Sequence, residues 1–141
     1  MERIIKFRAW DKENHNMYNV EAILFDDKHT NMIRVGENVL LSFDDIELMQ
    51  FTGLHDKNGK EIFEGDLISF TEVDEDSCLG REETNTVVVK WIDEIAQYRA
   101  CFSSGRRTEL HFVVKLPTVQ DCEVIGNIYE NPELIKEVTH V

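Results

Sequence analysis

The chain is poor in cysteine, proline and positive charge, and it has no long apolar run. Each shortage excludes something. Three cysteines in 141 residues, Cys78, Cys101 and Cys122, are odd in number and contain no C-x-x-C pair. That spacing argues against a disulfide framework or a zinc ribbon and suits a reducing cytoplasm. Two prolines form no Pro-rich linker, and no internal repeat divides the chain. No apolar stretch approaches the roughly 18 residues that read as a membrane span, so no membrane role is expected. The opening MERIIKFRAWDKE lacks the apolar segment of a secretory signal. Positive charge is the most telling shortage. Fifteen Lys and Arg stand against 28 Asp and Glu, a formal net charge of −13. Nucleic-acid affinity rests largely on cations neutralising phosphates, so this balance argues against nucleic acid as the partner. A cluster at Arg3, Lys6, Arg8 and Lys12 reads first as a solvated strand face.

What is present is β-forming. Apolar residues make up 42% and charged residues 30%, a globular composition that needs no metal or disulfide to build a core. RIIKFRAWD alternates, with Ile5, Phe7 and Ala9 on one face and Ile4, Lys6, Arg8 and Trp10 on the other. The turn formers of Asp11 to Asn16 lead into a returning strand, MYNVEAILFDD, and so into an N-terminal hairpin. MIRV and VLLSF are short strands around a Gly36–Asn38 turn, and a short helix is an option at Phe43–Leu48. Further strands are LISFTEV, TVVVKWI, AQYRACF, ELHFVVKL and CEVIGNIY. The acidic segment 72–85 reads as a solvated loop. At the end, Asn131 as N-cap, Pro132 at the first helical position and Glu133 in the first turn predict a short helix over 132–138. The fold class expected is mostly β: residues 1–50 form a hairpin extension or subdomain, and residues 51–141 a small barrel or roll with a C-terminal helix.

Three of the seven glycines, Gly53, Gly59 and Gly65, fall in MQFTGLHDKNGKEIFEGDLISF. A phosphate loop needs G-x-x-x-x-G-K-[ST]; here Gly59-Lys60 is followed by Glu61, and Leu54 stands where the first glycine belongs. A calcium loop with Gly59 at its sixth position would place Leu54 first and Gly65 twelfth, neither able to donate a side-chain oxygen. Turns remain. Asn58-Gly59 predicts a two-residue type I′ hairpin turn, and Gly53 and Gly65 punctuate the neighbouring strands.

Other chemistry is thin. The histidines at 15, 29, 55, 111 and 140 show no H-E-x-x-H, and Ser103-Ser104-Gly105 is no nucleophile elbow. Asp74, Glu75 and Asp76 offer at most a weak cation site. Trp10, Trp91, Tyr98 and Phe102 read as packing rather than as a stacking platform for bases. Catalytic, cofactor-binding and metal-ligating sets are therefore not expected, and neither is enzymatic activity.

The blocks IKFRAWD with MY soon after, MQFTGLHDKNGKEIFEGDLI, VVVKW and EVIGNIYENPEL together resemble the YopX family of bacteriophage and prophage proteins, from Ile5 to Leu134. The resemblance implies a β-rich body similar to an SH3-type barrel, a phage or prophage origin and a bacterial cytoplasm. It implies no activity and no site residues. The functional expectation is a non-enzymatic accessory protein that acts through an unknown protein partner or by self-association. The face of Lys6, Arg8 and Trp10 is the candidate interaction surface. The alternative is nucleic-acid association, either through that face or Arg99, Arg106 and Arg107, or by acidic mimicry of DNA.

Overall fold

The computed structural model describes residues 2–26, 28, 30–73, 78, 80, 82–110 and 122–137. The chain is mostly β and divides into two compact units, Met1–Phe51 and Thr52–Val141.

In the first unit, β1 (Phe7–Asp11) lies between β2 (Asn16–Asn19) and β6 (Ile46–His55), antiparallel to both. The last residues of β6 belong to the second unit. A separate antiparallel sheet has the order β3 (Ala22–Leu24), β4 (Met32–Val35), β5 (Val39–Ser42). Strand alternation buries Ala9, Ile33, Val35 and Ile46, against which Tyr18, Val20, Ile23, Leu41, Phe43 and Leu48 pack. The β1–β2 turn is fixed by buried Asp11. Its Oδ1 accepts the N–H groups of Glu13 (3.0 Å) and Asn14 (3.1 Å), and its Oδ2 accepts from Asn14 Nδ2 (3.0 Å).

Two expectations change here. MYNVEAILFDD is two strands, not one. Val20 N–H donates to Phe7 O (3.1 Å), and Glu21 N–H donates to Arg34 O (2.9 Å). The backbone thus transfers from one sheet to the other between these residues, and alternation alone cannot reveal such a change of partner. At Phe43–Leu48 a single 3-10 turn, Phe43–Asp45, is capped by Ser42 Oγ accepting Asp44 N–H (3.2 Å), and β6 begins at once.

The second unit holds β7 (Glu61–Phe63), which neighbours β6, and a five-stranded antiparallel sheet. Its order is β11 (Arg107–Glu109), β10 (Gln97–Cys101), β9 (Glu82–Ile92), β8 (Asp66–Val73), β12 (Glu123–Asn127). Helix α1 (Glu133–Glu137) follows β12. One sheet face carries the core: Ile68, Phe70, Val87, Val89, Ala100 and Val124, with Ile62, Leu110 and Cys122. Register puts Ile68 opposite both Val87 and Val124, and Val89 opposite Ala100. The other face carries Leu67 opposite Val88, and Cys101 opposite both Val88 and Arg107.

The acidic loop is shorter than expected. Glu72 pairs with Glu83 and Val73 with Glu82, because β-branched Thr71, Thr84 and Thr86 carry the ladder into the acidic segment. Asp74, Glu75 and Asp76 lie outside the described residues, as do His29, His111, His140, most of the expected strand ELHFVVKL and the last residue of the expected 132–138 helix.

Candidate functional site

The two longest sequence blocks meet in the second unit. Asp56, only 7% exposed, accepts the N–H groups of Asn58 (2.9 Å) and Lys60 (2.9 Å) on Oδ1 and that of Val124 (3.0 Å) on Oδ2. Burial alone would raise its pKa, but the three N–H groups and the nearby Lys60 charge outweigh burial and hold the carboxyl below its ordinary value. Lys57 N–H donates to Cys122 O (3.1 Å), and Ile128 N–H to Gly65 O (2.9 Å). One carboxylate thus staples the hairpin loop of one block to the last strand of the other.

That loop is not the two-residue type I′ turn expected from Asn58-Gly59. Gly59 has φ +81°, but Asn58 is not among the residues of positive φ. Asp56 N–H donates to Lys60 O (2.9 Å) and Gly59 N–H to Asp56 O (3.0 Å). This is a three-residue loop, a turn followed by a left-handed glycine. Capture of the Asn58 and Lys60 N–H groups by the Asp56 side chain favours it over the shorter turn. Phe102–Arg106 repeats the pattern, with Gly105 at φ +90°. The consecutive positive φ values of a type I′ turn occur instead at Glu37 (58°) and Asn38 (63°).

After β12, Asn127 Oδ1 accepts the N–H groups of Tyr129 (3.0 Å) and Glu130 (2.8 Å). Asn131 Oδ1 accepts Asn127 N–H (3.2 Å), so this side chain turns back to β12 where an N-cap contact was expected. The chain is thereby steered so that Ile128 and Ile135 come over the face of the sheet away from the core. A cleft of about 470 Å³ opens there. Its floor is Leu67, Val88, Ile92 and Cys101; Phe102, Ile128 and Ile135 add apolar walls. Thr86, Ser103, Lys90 and Arg107 supply its polar groups, and none of its described lining residues is acidic.

The YopX protein family matches residues 6–136. The chain belongs to the YopX family. A solved structure similar to this YopX chain is that of protein EF1440 from Enterococcus faecalis. It is 26% identical, and the alignment covers 95% of this chain and 99% of that one with a TM-score of 0.58. No curated protein matches the chain.

The structure of this YopX chain places Lys6 just before β1 and exposed, while Arg8 and Trp10 are half-buried on one face of the strand. Trp10 stacks on His15 with ring centroids 5.8 Å apart. Gly53 and Gly65 take φ +89° and +83°. The arginines of the alternative basic face are engaged within the second unit. Arg99 pairs with Glu109 (3.7 Å), Arg107 with Glu94 (4.0 Å), and Arg106 lies 4.0 Å over the Phe102 ring. Trp91 packs edge-on against Tyr98, and Phe102 against Phe70.

Two features escaped the sequence reading. The cleft draws its lining from β8, β9, β10, β11 and α1, which only sheet order brings together. The second is in the first unit, where Leu24 and Leu40 are exposed on the sheet face away from the core, and Phe25 and Val39 are exposed at strand ends. Its signal was readable as VLLS, a strand without charge in an acidic chain.

Proposed function

We propose that this YopX chain is a non-enzymatic association module that docks a second copy of itself through the three-stranded sheet of its first unit. The carrying observation is the exposure of that sheet's outward-facing leucines, 47% for Leu24 and 48% for Leu40. Leu24 stands opposite Met32, and Leu40 opposite Arg34, which is held by Glu21 at 3.6 Å. Both β3 and β5 are edge strands, and β5 has no Lys, Pro or acidic residue to discourage pairing. An uncharged edge is self-complementary under two-fold symmetry, whereas a partner bearing charge would gain nothing from it. The same reading assigns the second unit to an SH3-type barrel and the protein to a phage or prophage setting in a bacterial cytoplasm. Its buried carboxylates support a non-catalytic role, since Asp11, Asp56 and Asp66 each accept backbone N–H groups and so serve structure.

Sedimentation at rising protein concentration tests the reading. The mass should climb toward a dimer, and more readily at 0.5 M than at 0.05 M salt, because two copies of charge −13 repel until screened. Leu40→Lys and Leu24→Lys should return the monomer with an unchanged thermal midpoint. A strict monomer at every concentration and salt would sink it.

A further inference from the structure

The cleft of the second unit is a different surface from the self-docking face and depends on different residues. We propose that it is a binding site for a small amphipathic anion, an apolar body of about ten carbons carrying one carboxylate. At about 30 Å³ per group, the share of a water molecule in the liquid, 470 Å³ holds about fifteen non-hydrogen groups. The volume also lies in the range of small-molecule pockets, apolar with a few placed polar groups.

Charge complementarity decides the sign of the ligand. In a chain with 28 acidic residues, the described lining contains none, and it contains two cations, Lys90 and Arg107. Among the described residues, Lys90, which is exposed, has no ion-pair partner, and Arg107 has the long contact to Glu94, itself 84% exposed. Arg99 stands beside Lys90 in register; it is paired with Glu109 at 3.7 Å, and its Nε is buried without a hydrogen-bond partner. This end of the sheet face thus carries three cations, Lys90, Arg99 and Arg107, against Glu109 and Glu94, a small positive excess on a strongly negative molecule.

The surroundings favour a small molecule over a peptide. The cleft lies on the face of paired strands, and the backbone groups of β8, β9 and β10 are used in the ladder. An extended peptide lying across these three strands would find their backbone groups already paired, and its own amides would be desolvated against Leu67, Val88 and Ile92.

Decanoate is the probe. Titrated into protein with labelled isoleucine methyls, it should shift Ile92, Ile128 and Ile135 saturably. Decyltrimethylammonium, of equal chain length and opposite charge, should bind at least about tenfold more weakly. Lys90→Gln and Arg107→Gln, both surface changes, should each weaken decanoate about two- to fivefold. Thr86→Trp should fill the cleft and abolish the shifts. The Leu40→Lys monomer should bind as the parent does, so failure of the dimer leaves this test intact. The proposal is overturned if decanoate gives no saturable shift, if the cation binds equally well, or if those methyls respond only to a blocked acidic peptide such as acetyl-Leu-Glu-Leu-Leu-amide.

Discussion

Asp56 offers the sharpest test of how this fold is held. Its carboxylate accepts from the hairpin loop and from β12, 68 residues away, at the same time. Replacing Asp56 with Asn keeps the size and one acceptor oxygen. The oxygen can still serve Asn58 and Lys60, but the amide nitrogen then faces Val124 N–H, donor against donor. A buried donor left unsatisfied costs about 1–3 kcal/mol, and loss of charge from the remaining two bonds adds about 1 kcal/mol. Asp56→Asn should therefore cost about 2–4 kcal/mol at pH 7. Asp56→Ala should cost somewhat more but well short of three full bonds, because the loop N–H groups can turn to water. Urea denaturation in a Trp10→Phe background, where Trp91 reports the second unit, measures both. The pH dependence has a fixed sign. The folded carboxyl titrates below its unfolded value, so its contribution is complete above about pH 4 and is lost as pH falls through the folded value. The gap between parent and Asp56→Asn should close in that acid window. An Asn variant within about 0.5 kcal/mol of the parent at pH 7 would refute the staple.

Gly59→Val should destabilise by about 1–3 kcal/mol from backbone strain alone, since φ is +81° and nothing lies within 4 Å of an added Cβ; equal denaturation midpoints would contradict this. Gly126→Ala should cost about 2–3 kcal/mol for a different reason: its Cβ would overlap the Asn131 carboxamide and break the bond from Asn127 N–H. Asn131→Gly in the same background separates the two terms, because every Asn131 side-chain atom that the new Cβ meets is then gone and the double variant should be no less stable than Asn131→Gly alone. With a thiol reagent under native conditions, exposed Cys78 should react fast and buried Cys101 and Cys122 slowly, all three equalising in denaturant; three fast thiols in the native protein would contradict the burial.

Much of the architecture was legible because it rests on local rules. Alternation located β1, β8, β9, β10 and β12, and Gly59 marked a turn. What misled were choices settled by distant partners. Asn58-Gly59 carries the residues of a type I′ turn, but Asp56 captures two loop amides and selects a longer loop. MYNVEAILFDD has strand propensity throughout, yet Val20 and Glu21 bond to strands of different sheets. The cleft was invisible for the same reason: Leu67, Val88, Cys101 and Arg107 are far apart in sequence and become neighbours through register alone.

The blocks that identify the family are largely spent inside the molecule. Asp56, Gly59 and Asp66 in one and Gly126, Asn127 and Asn131 in the other close loops or join the two blocks, and their polar atoms or backbone angles are committed to that. A sequence can therefore match the family from end to end and disclose the fold without disclosing a ligand. Leu24 and Leu40 on the first unit and Arg107 at the cleft reach outward and lie outside those blocks. Leu67, Val88 and Ile128 line the cleft from inside the blocks, and so does Lys90 in VVVKW. Its neighbours Val87 and Val89 face the core. One strand thus contributes to core and cleft on alternate residues, and a change in ligand would be made at Thr86, Val88, Lys90 or Ile92 without disturbing the packing behind them.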